Sequence, residues 1–323
     1  MESSTTLFVC ASVAFSRQDV LTAADAWGKL GGVRDDACLR LACLHAARDA
    51  GLSCGEDELQ TASEAFRRAH GLRNGDLTRA WMARWQVSVV EFGDYLEREE
   101  LLRHYRGRLA ETLRSDLVDA AALDEVLWPD AVFTGNAERW CEALAARTTA
   151  AAALGDTSAL FAPWPERLKL LDAALQHFAS RAATPEATQA ALESHWRDYL
   201  VFDCEFGHFA TVESALEARL CVEEDGAELA SVCAEAGGRH HRARVLHVDL
   251  PAPLRAAALS CAPGAIIPPM ELSGEHVLCR VLAKDSPDLN DADTRVRVQD
   301  NLLAEALRPL MTQQVAWPGE DAR

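Results

Sequence analysis

Apolar residues recur at intervals of three and four from Asp19 to about Leu113, which predicts a succession of short helices. Val20, Ala23, Trp27 and Leu30 form one stripe; Leu39, Leu41, Ala42, Leu44, His45 and Ala46 form the next, which Gly51 ends. Ser53 and Glu56 stand at capping-box spacing before a third helix carrying Leu59, Ala62, Ala65 and Phe66. Asp76 opens a fourth with Leu77, Ala80, Trp81 and Trp85, and Ser88 and Glu91 repeat the box ahead of Phe92, Tyr95 and Leu96. Helical spacing continues over residues 113–197, with breaks expected near 128–136 and 155–166. The tryptophans at 128, 140, 164 and 196 are expected in the helical core. Ahead of all this, the apolar run 7–15 reads as an N-terminal strand or buried extension.

The period changes at residue 199. Residues 199–206 (YLVFDCEF) are rich in aromatic and β-branched side chains and predict a strand. Thr211 is placed to cap a helix over 212–222, with Ala215, Leu216, Ala218, Leu220 and Val222 on one broad apolar face. Gly226 breaks it, and a second short helix, 227–236, ends at Gly237-Gly238. A short strand over 244–248 follows, then a helix that Pro251 starts and Pro263-Gly264 stops, with Leu254, Ala257 and Ala258 as its stripe. Two strands remain: 265–272, whose Pro268 and Pro269 confine it to an edge, and 276–282. In the last, Val277, Cys279 and Val281 share one face while His276, Leu278, Arg280 and Leu282 share the other.

This order of strand, two helices, strand, helix and paired strands resembles a parvulin-type (PpiC) prolyl isomerase domain over about 85 residues. The match is carried by "ATVESALEARLCVEEDGAELASVCAEAG" and "LPAPLRAAALSCAPGAIIPPMELSGEHVLCRV", and above all by Gly274-Glu275-His276-Val277. Upstream, "LRLACLHAARDAGLSCGEDELQTASEAFRRAHGL", with its Gly51-Leu52-Ser53 turn, is similar to the helical N-terminal region of SurA-type chaperones. Together they imply an α+β protein: a mainly helical, peptide-binding domain over 1–197, a parvulin-like α/β domain over 198–284, and a C-terminal segment 285–323. The helix expected over 295–311 presents Val298, Leu302, Leu303, Ala306, Leu307 and Leu310 and is expected to return to the helical domain.

Parvulins rotate an X-Pro bond, with a barrier of about 18–20 kcal/mol, in a pocket of two histidines, a Cys or Asp between them, and Met and Phe side chains against the proline ring. By this resemblance the candidate catalytic residues are His276 and His208, and the candidate peptide-binding set is Phe206, His208, Leu254, Met270 and His276. The first family histidine falls near Phe206, the central position near Gly237 and the ring-gripping Phe near Leu254, so most catalytic positions are unmatched. His240-His241, beside Arg239 and Arg242, reads as a solvated basic turn, and Cys204 and Cys233 as small core residues.

Composition narrows the partners. With 32 basic against 50 acidic side chains, the net charge of -18 repels phosphate backbones and anionic lipid, so neither nucleic acid nor membrane is an expected partner. Ten cysteines without a C-x-x-C pair suit a reducing cytoplasm, and the N-terminus, with Glu2 and no basic residue, does not read as a signal peptide. No P-loop, Rossmann glycine pattern, H-E-x-x-H or Gly-x-Ser-x-Gly is present, and neither metal nor cofactor is implied. Leu307-Arg308-Pro309-Leu310-Met311 followed by Val315-Ala316-Trp317 resembles the ending of PpiC-related proteins of ribosomally synthesised peptide pathways, crocagin-type clusters among them. That resemblance implies a maturation protein holding a precursor-peptide client, alone or with a modifying enzyme. An active prolyl isomerase and a general chaperone without chemistry are the alternatives.

Overall fold

A computed structural model describes residues 5–109, 118–272 and 274–318. The end of the long helix expected near Leu113 and the start of the segment after it lie outside the described residues. The protein has an α+β architecture that divides into two compact units, Met1–Phe178 with Leu307–Arg323, and Ala179–Ala306. The second unit is wider than the expected 198–284, because α10 (Pro185–Ser194) and the first part of α14 (Ala292–Gln314) group with it.

In the first unit, strands β1 (Thr6–Cys10) and β2 (Val13–Ser16) form a hairpin, and β7 (Val315–Ala316) adds to the other side of β1. Leu7, Phe8 and Phe15 are fully buried, and Trp317 lies 5.4 Å from Phe8 and 5.2 Å from Trp85 by ring centroids. Helices α1 (Arg17–Ala26), α2 (Leu30–Asp49), α3 (Glu56–Ala69), α4 (Gly75–Trp85) and α5 (Val89–Leu109) follow the predicted stripes. Local chemistry fixes several of their starts. Ser88 and Glu91 form the expected box, the Ser88 N–H donating to Glu91 at 2.6 Å and the Glu91 N–H to Ser88 Oγ at 3.1 Å. The box expected of Ser53 and Glu56 is displaced by two residues: Glu58 accepts from the Gly55 N–H at 2.8 Å.

Helix α6 (Ala120–Phe133) runs through Pro129 and stops at Thr134-Gly135, inside the break expected near 128–136. A proline inside a helix costs about 3 kcal/mol, but Leu127, Trp128, Ala131, Val132 and Phe133 are all buried here, and their burial offsets that cost. Helices α7 (Asn136–Ala153), α8 (Thr157–Phe161) and α9 (Glu166–Ala182) complete the unit. Trp128 and Trp140 belong to its core, whereas Trp196, in the other unit, is exposed.

The second unit contains a four-stranded antiparallel sheet in the order β4-β3-β6-β5, formed by β3 (Val201–Phe209), β4 (Arg239–Leu246), β5 (Ile266–Leu272) and β6 (Glu275–Asp285). Strand β5 takes the edge position that its two prolines require. Alternation along the strands makes two cores. One face presents Phe202, Cys204, Phe206, Val277, Cys279 and Val281 to Leu250 and to helix α13 (Ala252–Ser260). The other presents Phe209 and Leu278 to helices α11 (Val212–Glu224) and α12 (Leu229–Glu235). Thr211 caps α11 as expected, accepting from Ser214 at 3.2 Å. The broad apolar face expected of α11 is narrower, however: Ala215, Ala218 and Val222 are buried, while Leu216 and Leu220 are exposed. No helix among the described residues is long and apolar enough to cross a membrane.

Candidate functional site

Strand β4 begins at Arg239, so the expected basic turn is corrected: His240 and His241 are strand residues whose side chains fall on opposite faces. His241 pairs with Phe206 and Arg239 with His208, which places all four on the α13 face. The His241 ring stacks on Phe206 with centroids 4.8 Å apart and 15° between planes, and on His208 at 5.1 Å and 28°. His208 Nδ1 lies 3.0 Å from Glu275 Oε2. Arg239 Nη2 donates to both oxygens of Glu275 at 2.7 and 2.6 Å.

The result is a chain of contacts: Arg239 fixes Glu275, Glu275 orients the His208 ring, and His208 and His241 stack towards Phe206. The hydrogen bonds from Arg239, and then the contact with His208, hold the Glu275 carboxyl below the usual carboxylate range. His241 is pulled below the ordinary histidine value by desolvation of the side against its neighbours, and then by His208, His240 and Arg239. With its proton on Nδ1, His208 donates to Glu275 and keeps Nε2 as an acceptor. Met270 pairs with Val277 and joins the same face from edge strand β5. A strip of Phe206, His208, Val277 and Met270 therefore crosses from the middle of the sheet to its edge.

Of the residues singled out from sequence, Phe206, His208 and Met270 share this strip. Leu254 faces the same side from α13 but is only 1% exposed, so it serves the core rather than the surface. His276 pairs with Phe209, and so rises from the opposite, α11 face. The two histidines are not brought together. Cys204 and Cys233 are buried in the two cores, as the sequence implied. The neighbouring Cys204 thiol, and then burial, push the Cys279 thiol up.

Sequence reasoning missed Arg239, His241 and Glu275. The available signal was the alternation Arg239, His241, Ala243, Val245 running back from the recognised strand. On the α11 face, Glu205 lies 3.8 Å from His240 Nε2 and 3.9 Å from Arg280 Nη1. Among the described residues no group of three or more His, Cys, Asp or Glu is arranged to hold a metal ion.

No family model matches the chain, and no curated protein matches it. Among solved structures, the foldase protein PrsA from Streptococcus pneumoniae is 12% identical over 67% of this chain and 81% of that one, with a TM-score of 0.32. PrsA from Bacillus subtilis is 12% identical over 67% of this chain and 88% of that one, with a TM-score of 0.24. A chain from the Campylobacter jejuni pair PEB4 and Cj1289, described as structurally related SurA-like chaperones, covers 98% of this chain and 99% of its own at 9% identity and a TM-score of 0.22. Likeness at this level defines no activity. The elements and their pairing define an α+β protein whose sheet unit carries the half-buried His208 and Met270 beside the buried Phe206 and Val277, in line towards edge strand β5.

Proposed function

We propose that this protein binds an extended client peptide on its sheet unit, along edge strand β5 and over Met270 and His208, and that it holds the peptide without rotating a prolyl bond. The observation that carries the reading is the placement of His208 and His276 on opposite faces, combined with an edge strand whose outer side has no strand partner among the described residues. Strand addition at such an edge supplies main-chain hydrogen bonds, and the side chains of the neighbouring face select the sequence.

The finer reading is a maturation protein for a ribosomally synthesised precursor peptide, presenting it to a modifying enzyme. It draws on the resemblance of the 307–317 segment and on the absence of a conventional catalytic constellation from the sequence. Ten cysteines present as thiols suit a cytoplasmic setting for that role. The general-chaperone reading differs in client range: it requires unrelated apolar peptides to bind as well as one precursor does.

Hydrogen exchange with and without an extended synthetic peptide in excess, together with calorimetry, tests the proposal. Protection is expected at Ile266–Leu272, with binding weakened about tenfold by Met270→Ala or His208→Ala. Exchange unchanged over β5, with both variants binding like the parent, overturns it.

A further inference from the structure

In the helical unit, a cavity of about 430 Å³ opens between the end of α1 and helix α7, lined by Trp27, Lys29, Asn136, Arg139, Trp140 and Arg147. Positions 136, 139, 140, 143 and 147 fall on one side of α7 at helical spacing. Glu138 and Glu142 turn to the far side, so the cavity is lined by three cations in a chain whose net charge is -18. Within this unit, Arg147 Nε donates to Asp172 at 2.6 Å and Nη1 to the Ala143 carbonyl at 3.0 Å. Its guanidinium carbon lies 4.3 Å from the centre of the Trp27 ring. The ring and the planar cation are thereby fixed against each other, while Nη2 meets no acceptor among the described residues. Arg139 is steadied by one hydrogen bond to Asn136 Oδ1 at 2.8 Å.

Three cations and two flat rings line one concavity, and an anion attached to a planar apolar group complements both.

We infer that this cavity binds a carboxylate carried beside an aromatic group, with Arg139, Lys29 and the free nitrogen of Arg147 on the carboxylate and Trp27 and Trp140 beside the ring. A peptide supplies that chemistry in two ways, through a free C-terminus after an aromatic residue or through an Asp or Glu side chain next to one. The inference does not rest on the sheet-edge reading above, because every residue involved belongs to the other unit.

Isothermal titration of the full chain with three short probes tests it: acetyl-Gly-Trp with a free carboxylate, the same peptide amidated, and acetyl-Glu-Trp-amide. At least one acid is expected to bind saturably and the neutral amide about tenfold or more weakly; whichever acid binds identifies the source of the carboxylate. Arg139→Gln and Lys29→Gln, both at exposed positions, are expected each to weaken the acid by about threefold to tenfold while leaving the thermal transition in place. His208→Ala is expected to leave this titration unchanged. Equal binding of acid and amide, no effect of the paired Arg139→Gln and Lys29→Gln substitutions, or no saturable binding of either acid at millimolar concentration overturns the assignment.

Discussion

His208 rises from the α13 face of the sheet, opposite Val277, whereas His276 rises from the α11 face, opposite Phe209. Neighbouring residues of a strand alternate sides, so no rotamer change brings the two imidazoles into one pocket. Joining them requires β6 to slip by one residue, which would expel Val277, Cys279 and Val281 from the core and draw His276 and Arg280 into it. The burial of those three side chains holds the register.

Prolyl isomerisation is therefore expected to stay at background in a protease-coupled assay on Ala-X-Pro-Phe peptides, in the parent and in His276→Ala alike. Robust turnover that His276→Ala abolishes is the contrary result.

His241 titrates with a definite sign. Because the folded His241 value lies below the ordinary 6.5, its ring is neutral in folded and unfolded chains well above that pH and contributes no difference there. As pH falls through 6.5 the unfolded chain takes up the proton first, so folding stability declines until the folded ring also protonates. Proton NMR titration is expected to place His241 below 6.5 and to return it upward in Arg239→Gln. Glu275, whose value is lowered, acts in a separate window: its contribution is present above the ordinary carboxylate range and is lost as pH falls through it. The Asp291 carboxyl, held down to about 2 by hydrogen bonds from Thr294 and Arg244, keeps its contribution until the pH approaches that value.

Gly207 occupies a contact where β3 meets α12. A Cβ there lies 2.8 Å from Cys233 Sγ, 3.0 Å from a Phe209 ring carbon and 3.2 Å from Leu229 Cδ1. Gly207→Ala is expected to lower stability by about 1–3 kcal/mol in denaturant melts, with part recovered when Cys233→Ala is added.

In the helical unit, Asp130 is wholly buried and accepts from Arg98 at 2.6 Å, with Arg40 at 3.5 Å. Asp130→Ala leaves a buried guanidinium unpaired and is expected to cost about 3–5 kcal/mol. Adding Arg98→Met is expected to recover much of that loss, a coupling that a double-mutant cycle by thermal denaturation measures.

The tail is structural as well. Deleting residues 312–323 removes β7 and Trp317 from beside Phe8, Trp85 and the Arg84 guanidinium, whose central carbon lies 4.1 Å from the Trp317 ring centre. Full burial of a large apolar side chain is worth roughly 1.5–3 kcal/mol, so calorimetry is expected to show a clearly lower transition temperature. An unchanged transition and an unchanged monodisperse profile assign the tail to docking instead.

Much of the local structure was written in the sequence. Thr211 ahead of α11, the Ser88 and Glu91 box ahead of α5, the edge position of the strand with two prolines and the alternation of Val277, Cys279 and Val281 each depend on residues a few positions apart, and each is found. What depends on partners far along the chain was not legible. Leu216 and Leu220 fit the apolar period of α11, but only the width of the surface beneath the helix decides how many of its side chains are covered, and these two stay exposed. His241 looked like part of a basic turn because its strand is completed by pairing with β3, more than thirty residues earlier. The same pairing, with β6 on the other side, sets which face each histidine takes, and so decides that His208 meets Glu275 and His241 while His276 meets neither. Short-range hydrogen bonds and periodicity are properties of a segment; register is a property of the assembled sheet, fixed by which side chains its two cores bury.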